Sequence, residues 1–518
     1  MSKQLIERFL SELAFESRIP IGRASGQLLP LLLRIQESKG FIPQGWIPLI
    51  AQTLKMTTSE VYSVITYYPS FSLQSGSRFR RQAEFRMEEA FHVHLKWPEV
   101  LDSSAVLPGQ NRRILGRVQP LAFAGIRRAR SLSPQNVIDE LRTSGLRGTG
   151  GAAFPTWLKW ESAAKASGHQ RYIICNAAEG DLGAYVDRAV LERDPFAIIE
   201  GMAIAGHAVG ARSGYVYIRS EYPEAVKIMN RAIQEVRDRN LLEGAFELEV
   251  FPAAGTYVCG EETALLNSME GRPGHPRHKP PFPTQAGLWG CPTVVNNVKT
   301  LAHVAWILEH GASQFTQLGT QKSRGTAVLS ICGPVRNPGV IEVPMGTTLR
   351  EVIFGVCGGM LPGKSLKAVQ TGGPLGGLVP EILLDTPISF EDLGQIGSPL
   401  GSGGMIVISD ESCIVSAVQK FAEFAKEESC GHCAPCRLGT LQLERILREW
   451  IEGKGQERDF AFVADISSTL KSSSFCAFGQ GVPGILNSAL KYFPNEFQEH
   501  VRLGRCPAGQ CSLKAKGE

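Results

Sequence analysis

The amino-acid sequence predicts a multidomain α/β protein whose first and last segments are helical. Residues 1–72 and 411–500 place apolar side chains at helical spacing, whereas residues 131–313 alternate apolar runs with glycine-rich loops. Residues 314–410 contain short β-type runs separated by Gly and Pro. A length of 518 residues accommodates about three or four such domains.

The helical start is indicated by cap residues as well as by apolar spacing. Leu28 to Ser38 follow helical periodicity, and Gly40 stands where a helix C-cap glycine is expected. Thr57 to Glu60 offer cap residues before another apolar stretch. Residues 73–130 hold eleven Arg or Lys against five acids. We expect a basic linker there, either solvated or lying against a partner subunit.

The middle of the chain predicts an α/β domain followed by a small β-rich domain. Ser133 as N-cap and Pro134 at the first helical position start a helix that ends before Gly145. Three β-type runs then identify the β-rich domain of residues 314–410: Ala327–Ile331, Gly339–Val343 and Met405–Ile408.

Charge and hydropathy narrow the function classes. The formal net charge is only +4, so no nucleic-acid partner is expected. No apolar run reaches the roughly 18 residues that a bilayer-crossing helix needs, and the longest stretch, near Ile198 to Val209, contains two glycines and a histidine. The first residues lack a basic-then-apolar export signal. The expectation is a cytoplasmic chain without a direct membrane span.

The twelve cysteines are unevenly distributed. Five are scattered and are expected to be small buried apolar residues: Cys175, Cys259, Cys291, Cys332 and Cys357. The other seven fall in the last 106 residues, in the predicted helical domain (411–500) and a tail (501–518). Such a concentration in a cytosolic protein indicates metal or redox chemistry.

The strongest single motif is a cysteine triplet with one distant cysteine. Cys430, Cys433 and Cys436 form a C-x2-C-x2-C run, and Cys476 lies 40 residues later. A [4Fe–4S] cluster needs four thiolates, and two-residue gaps let one loop reach three irons. Zinc is the competing metal, but structural zinc sites usually use two separated C-x2-C pairs. The motif therefore predicts a [4Fe–4S] cluster.

Four further segments carry glycines, aromatic rings and charges in a pattern typical of ligand binding. The first, Gly145 to Lys159, joins two helical stretches with repeated glycines, which let backbone N–H groups approach a phosphate. The second, Gly255 to Glu262, adds a tyrosine and paired carboxylates that we interpret as facing a ligand. Lys279-Pro-Pro-Phe282-Pro supplies a cation and an aromatic ring, and Asn296-Asn297 supplies amides.

In this order, the segments resemble the NADH-binding flavoprotein subunit of respiratory complex I and its relatives in NAD-dependent formate dehydrogenases and multimeric hydrogenases. The motifs GLRG-x-GGA-x-FPT, CNA-x-EG, GTYVCGEETAL, KPPFP, NNV and ESCGHCAPCR carry the resemblance over about residues 112–500. Leu29 to Phe71 is similar to the helical start of the [2Fe–2S] partner subunit. Because residues 73–174 contain no cysteine, no [2Fe–2S] centre is predicted in this chain.

The resemblance implies a Rossmann-like FMN/NADH domain, a small β-grasp-like (soluble-ligand-binding, ubiquitin-like) domain and a helical [4Fe–4S] domain. Hydride would pass between NAD(H) and FMN, and single electrons would pass to the cluster, with no catalytic side chain assigned. Implied partners are a [2Fe–2S] thioredoxin-like subunit and a catalytic or quinone-side subunit. The implied FMN-binding residues are Gly148, Gly150, Gly151, Ala152, Ala153, Lys159, Asn176, Glu179, Tyr257, Gly260, Glu261, Asn296 and Asn297. The implied NADH-binding residues are Phe154, Asp181, Glu262, Lys279 and Phe282.

The chain departs from the family pattern at four positions in the implied flavin site. Thr149 stands where the family usually has arginine, Ala153 and Trp157 replace glycines, and Ala178 replaces an aspartate that contacts the flavin. Losing one such anionic group could cost on the order of 1–3 kcal/mol of affinity. A second hypothesis is therefore a degenerate paralogue that acts as an electron wire or scaffold. A zinc-only regulatory protein is a third.

The tail predicts a second metal site. His500, Cys506 and Cys511, together with Cys413, make three thiolates and an imidazole, a set that suits tetrahedral zinc. Some hydrogenase-type relatives have a similar tail that resembles a structural zinc site. The alternative is a frayed, reduced chain end. His432, inside the cluster loop, is expected to tune the cluster rather than to ligate it.

Overall fold

A computed structural model describes residues 4–9, 11, 25–75, 99–101, 113–116, 120–511 and 513. Helices of eight or more residues are numbered here in chain order. They are α1 Leu28–Lys39, α2 Ile47–Leu54, α3 Thr58–Tyr67, α4 Ala124–Ser131, α5 Pro134–Ser144, α6 Thr156–Lys165, α7 Val186–Arg193, α8 Pro195–Val209, α9 Pro223–Asp238, α10 Glu262–Met269, α11 Val298–His310, α12 Ile414–Glu428, α13 Ala434–Ile451, α14 Asp459–Ser473 and α15 Pro483–Tyr492. The strands are β1 Glu99–Val100, β2 Tyr172–Ala177, β3 Ser213–Arg219, β4 Glu247–Ala253, β5 Thr293–Asn297, β6 Thr326–Cys332, β7 Gly339–Pro344, β8 Leu366–Thr371, β9 Gly377–Pro380 and β10 Gly404–Ser409.

The predicted cap residues set the observed helix ends. Gly40 ends α1 in the left-handed conformation, with φ 77°, which glycine adopts without steric cost. Thr57 and Glu60 form a reciprocal capping box at the start of α3. Ser133 accepts the Asn136 N–H at the start of α5. These helix predictions are confirmed.

The α/β domain is built on a parallel four-stranded sheet in the order β4-β3-β2-β5. Alternate residues of β2 face two different cores: Ile173 packs among helices α4–α9 and α11, whereas Ile174 packs among α1–α3 and α10. Both faces of the sheet are therefore covered, as parallel sheets require. The predicted N-terminal helical segment supplies one of the two covering layers.

The parallel register brings the carboxyl ends of β2 and β5 together. Cys175 pairs with Asn296, and Asn176 pairs with Asn297. In open α/β sheets, ligands bind at this edge of the strands. The sheet thus aligns two of the motifs that the sequence placed in the implied site.

The β-rich domain contains the mixed sheet β1-β7-β6-β10-β8-β9. Strands β6, β7 and β10 coincide with the three predicted β-type runs, and alternate residues such as Leu329 and Ile331 fill its own core. Strand β1, which lies inside the predicted linker, adds a short parallel edge to β7. This part of the linker is therefore tied to the β-rich domain.

The C-terminal domain is a bundle in which α12 packs on α13 and α13 on α14. Their shared core includes Phe421, Leu447 and Trp450. Among the described residues, no helix combines the length and apolar character needed to cross a bilayer. The bundle places the start of α13 and the end of α12 beside the α/β domain.

Candidate functional site

A charged cleft lies where β2 and β5 end. Asn176 Nδ2 donates to the Gly260 carbonyl at 2.9 Å. Lys159 Nζ, from α6, donates to the Val295 carbonyl and to Glu262 Oε2, both at 3.0 Å. Residues from three of the four ligand-binding segments therefore meet at one edge of the sheet.

The paired carboxylates of the cleft are held by lysines. Lys279 Nζ lies 2.8 Å from Glu261 Oε1 and 3.1 Å from Glu262 Oε1. Burial alone would raise the pKa of Glu262, but Lys159 and Lys279 lower it below its ordinary value. Glu262 is thus an ionised carboxylate between two cations, as suits a group that faces a polar ligand.

The glycine loop folds back on itself between α5 and α6. The Gly148 N–H donates to the Phe154 carbonyl at 2.8 Å. Arg147 Nε donates to the Ala153 carbonyl at 2.8 Å, and the same guanidinium pairs with Glu391 of the β-rich domain. Ala153 has φ +50°, which explains why the family usually has glycine there.

Thr149 and Gly150 pack the loop against the end of β5. Thr149 Oγ1 contacts Asn297 Oδ1 at 3.2 Å and Thr300 Oγ1 at 2.9 Å. A Cβ added at Gly150 would lie 3.0 Å from Asn297 Cβ, so glycine permits this close approach. Where the family has arginine, Thr149 therefore serves the internal packing of the loop.

The cleft fits an anionic, planar group such as FMN. Lys159 and Lys279 supply positive charge, and a Cβ built on Gly260 would meet no atom within 4 Å. Phe154 and Phe282 are 47% and 50% exposed, so their rings are available for stacking on an aromatic base. These features agree with the site that the sequence predicted.

Several predicted cofactor residues instead hold the protein together. Glu179 is buried and accepts the N–H groups of Val186 and Asp187, at 2.7 and 2.8 Å, at the start of α7. Asn296 Oδ1 accepts the indole N–H of Trp160 at 2.8 Å, and Asn297 Nδ2 donates to Asp187 Oδ2 at 2.7 Å. These side chains brace the strand ends of the cleft.

Asp181 and Tyr257 connect three domains. The Tyr257 hydroxyl donates to Asp181 Oδ1 at 2.7 Å, and Ser402 of the β-rich domain donates to the other carboxylate oxygen. The Tyr257 ring also packs edge-on against Phe424 of α12, with the ring centroids 5.3 Å apart. Burial raises the pKa of Asp181, and its hydrogen bonds act in the opposite direction.

A cavity of about 610 Å³, open to solvent, lies behind Tyr257 between the α/β domain and α12. Ala178, at the position where the family has aspartate, lines it together with Arg219 and Glu428. The sequence did not single out Arg219 or Glu428, because neither lies in a ligand-type motif. Ala178 is itself buried among apolar neighbours.

The four cysteines of the predicted cluster converge between α12 and α13. Cys430 and Cys433 lie on the connecting loop, Cys436 lies in the first turn of α13, and Cys476 precedes the short helix Ala477–Gly481. Burial raises the pKa of Cys430 to about 11, with further contributions from Cys476 and Cys433. Four thiols that influence one another in this way suit a cluster with four thiolate ligands.

The cluster site adjoins the charged cleft. After burial and nearby backbone N–H groups, the Glu261 carboxylate contributes to the pKa of Cys476, which it raises. Glu261 also accepts the N–H groups of Thr263 and Ala264, so it is fixed at the start of α10. One carboxylate therefore belongs to the wall between the cleft and the four cysteines.

A second metal-type group forms at the far end of α12. The ligand atoms of Cys413, His500, Cys506 and Cys511 all lie within 4.8 Å of one another. Cys413 Sγ is 3.3 Å from His500 Nε2 and 3.6 Å from Cys511 Sγ. Tetrahedral zinc with bonds of about 2.3 Å places sulfurs about 3.8 Å apart, so the spacing fits zinc.

The scattered cysteines have no comparable neighbours among the described groups that could hold a metal. Cys175, Cys259, Cys332 and Cys357 are buried, as predicted, and Cys291 is half-buried. Burial raises the pKa of Cys332 and of Cys357 to about 12. Protonated thiols of this kind act as small apolar side chains.

Four segments of the chain match known protein families. Residues 141–306 match the Nuo51 FMN-binding domain, and residues 416–500 match the NADH-ubiquinone oxidoreductase-F iron-sulfur binding region. Residues 328–379 match the SLBB domain. Residues 15–82 match the thioredoxin-like [2Fe-2S] ferredoxin family, although the first cysteine of the chain is Cys175.

Relatives match over most of the chain. The NADP-reducing hydrogenase subunit HndC of Solidesulfovibrio fructosivorans is 45% identical over 397 residues, which are 75% of this chain and 81% of that protein. One of the NADH-quinone oxidoreductase F subunits of Rhizobium meliloti (strain 1021), the one numbered 2, is 42% identical over 382 residues, 72% of this chain and 91% of that protein. The crystal structure of an air-oxidized NAD+-reducing [NiFe]-hydrogenase matches with a TM-score of 0.79 at 26% identity, covering 93% of this chain and 95% of that one.

Together, the fold and the two cofactor regions define a flavin- and iron–sulfur-dependent electron-transfer subunit. The chain belongs to the family of NADH-quinone oxidoreductase F subunits and their hydrogenase relatives. The predicted resemblance, fold class and enzyme class are thereby confirmed, and the chain transfers electrons between NAD(H), FMN and a [4Fe–4S] cluster. Its relatives are subunits of multisubunit complexes.

Proposed function

We propose that this chain exchanges hydride with NAD(H) in the cleft around Lys159, Glu262 and Lys279 and passes single electrons to a cluster held by Cys430, Cys433, Cys436 and Cys476. The observation that carries the proposal is the position of Glu261, which pairs with Lys279 on the cleft side and raises the pKa of Cys476 on the cluster side. The two centres share one wall, so electrons need not leave the chain.

The residues of the cleft have separable roles in this proposal. Lys159 and Lys279 neutralise phosphate or flavin charge, Glu262 orients polar groups of the nucleotide, and the exposed rings of Phe154 and Phe282 stack against its adenine. FMN, when bound, supplies the step from a two-electron donor to a one-electron acceptor. Asp181 and Tyr257 hold the three domains around the cleft, and Gly148 to Ala153 shape its loop.

Two partner subunits suit this role. A thioredoxin-like subunit with a [2Fe–2S] cluster is supported by the family match of residues 15–82, which hold no cysteine of their own. A catalytic or quinone-side subunit is supported by the names of the relatives, which are hydrogenase and quinone oxidoreductase subunits. The chain would connect NAD(H) to these partners. Its twelve free thiols are compatible with a reducing compartment such as the cytoplasm.

The group Cys413, His500, Cys506 and Cys511 is proposed to bind structural zinc. The hydrogen bond from Cys511 lowers the pKa of the Cys413 thiol, which favours the thiolate that zinc needs. Bound zinc would fasten the tail to the start of α12, whose other end leads to Cys430. Its role would be structural, since three thiolates and an imidazole leave no open position for a substrate.

Quantifying cofactors tests the proposal. The purified chain should release FMN on acid extraction and should contain iron, sulfide and zinc. An electron wire or scaffold predicts iron and sulfide without FMN, even after incubation with added FMN. A zinc-only protein predicts zinc without iron. Either of the last two results would overturn the proposed function.

A further inference from the structure

The N-terminal helical segment contacts the cluster loop through a row of aromatic rings. The Tyr67 ring, at the end of α3, meets the His275 ring edge-on with centroids 5.0 Å apart. His275 in turn lies 5.0 Å from the ring of His432, which is inside the cluster loop, and His432 lies 5.8 Å from Phe475 beside Cys476. The row thus reaches from the N-terminal segment to both parts of the cluster site.

Hydrogen bonds fix the base of this row. The Tyr67 hydroxyl donates to the Gly274 carbonyl at 3.0 Å, and the Tyr68 hydroxyl donates to the Arg272 carbonyl at 2.9 Å. A Cβ added at Gly274 would lie 2.5 Å from Cys259 Sγ, so the backbone beside His275 is tightly packed. The segment that carries His275 is therefore held in place by α3 and cannot shift without losing these bonds.

The same segment covers the Cys430 side of the cluster site. Cys430 packs against the core that contains α1–α3, including Ile65 and Tyr68. Tyr68 is only 1% exposed. Tyr67 is close enough to Cys430 for the two groups to interact electrostatically. Water is accordingly kept from this corner by residues that lie more than 350 positions earlier in the chain.

We propose that Tyr67 is a positioning residue for the [4Fe–4S] cluster: through its contact with His275, it holds the His432 loop and keeps the Cys430 corner dry. The inference rests on the proposed cluster at Cys430, Cys433, Cys436 and Cys476. Solvent exposure stabilises the reduced, more negatively charged cluster and so raises its potential. The N-terminal segment, which has no cysteine, therefore sets the potential of a cluster that it does not ligate.

The test compares two tyrosines of the same helix in the full chain. Tyr67→Ala removes the covering ring, whereas Tyr62→Ala removes a ring that is 48% exposed. Iron and FMN contents are measured first, and the cluster potential is then determined by anaerobic redox titration followed by EPR. Tyr67→Ala should shift the midpoint potential upward and change the EPR line shape, and Tyr62→Ala should match the wild type.

Two further variants keep the test decisive. If Tyr67→Ala fails to fold or to load iron, His275→Ala removes the other half of the ring contact and should give the same upward shift. Tyr67→Phe keeps the ring and should stay near the wild-type potential. A folded, iron-loaded Tyr67→Ala or His275→Ala protein with the wild-type potential and EPR signal would overturn the inference. Wild-type protein without iron would instead contradict the proposed cluster itself.

Discussion

Lys159 Nζ lies 3.0 Å from Glu262 Oε2 and joins the glycine-loop motif to the paired-carboxylate motif. The two residues are 103 positions apart in the chain. Their side chains are 21% and 24% exposed, so the pair borders the cleft rather than the core. Lys279 approaches the same carboxylate from a third segment.

Replacing Glu262 should weaken nucleotide binding. Glu262→Gln removes a charge that orients polar groups of NADH, and a hydrogen bond to a charged group is worth about 1.5–3 kcal/mol. We expect the KM for NADH to rise about tenfold or more, with FMN content unchanged. Steady-state kinetics with an artificial acceptor measure this. The matched control is Glu224→Gln on α9, an exposed residue paired with Lys227; an equal KM for both variants would refute the assigned role.

Restoring glycine at position 153 should stabilise the flavin loop. Ala153 has φ +50°, a conformation that costs a non-glycine residue about 1–2 kcal/mol. Ala153→Gly should tighten FMN binding by roughly fivefold, which corresponds to about 1 kcal/mol. The measurement is a fluorescence titration of the deflavinated protein with FMN.

Ala166 provides the control for that change, because its φ is −67° and glycine relieves no strain there. Ala166→Gly should leave FMN affinity unchanged and lower the melting temperature slightly. If Ala153→Gly weakens FMN binding, then the methyl group of Ala153 has a role in the site that its backbone conformation does not reveal.

A buried ion pair beneath the cleft should be important for stability. Lys299 Nζ lies 3.5 Å from Asp187 Oδ1, and the two side chains are 3% and 4% exposed. Lys299→Met leaves the Asp187 charge uncompensated, a change that typically costs about 3–5 kcal/mol. Chemical denaturation should show this loss, whereas Lys227→Met, in an exposed pair, should change the unfolding free energy by less than about 1 kcal/mol.

Removing one thiol from the tail should release zinc without affecting iron. Cys511 lies 3.4 Å from His500 Nε2 and 3.6 Å from Cys413 Sγ. Cys511→Ser should lose zinc and lower the melting temperature, with the iron content of the wild type. Cys291→Ser, which changes a half-buried thiol outside the group, should retain zinc. Full zinc occupancy in Cys511→Ser would exclude the proposed ligand set.

Local chemistry made much of the fold predictable from the sequence. The C-cap at Gly40, the capping box of Thr57 and Glu60, and the start of α5 at Ser133 depend on neighbouring residues only. The cluster cysteines were also predictable, because a C-x2-C-x2-C run restricts three ligands to one loop. The structure places Cys476 beside them, as its isolation after the triplet suggested.

Side-chain direction was less predictable, because it depends on tertiary contacts. Glu179 and Asn296 lie in ligand-type motifs, yet they bind the start of α7 and the Trp160 indole. The clamp of Arg147 by Glu391 joins residues 244 positions apart. Likewise, the contact between Tyr67 and His275 crosses two domains, and no local pattern marks either residue.

The most direct test of the account is anaerobic addition of NADH to the purified chain, with its flavin absorbance and its EPR spectrum recorded together. We expect NADH to bleach the flavin and to produce the EPR signal of a reduced [4Fe–4S] cluster. Cys476→Ser should keep the flavin bleaching and lose that signal, because it removes one cluster ligand. If NADH leaves the wild-type flavin and cluster oxidised, or if Cys476→Ser shows the wild-type signal, the central claim is contradicted.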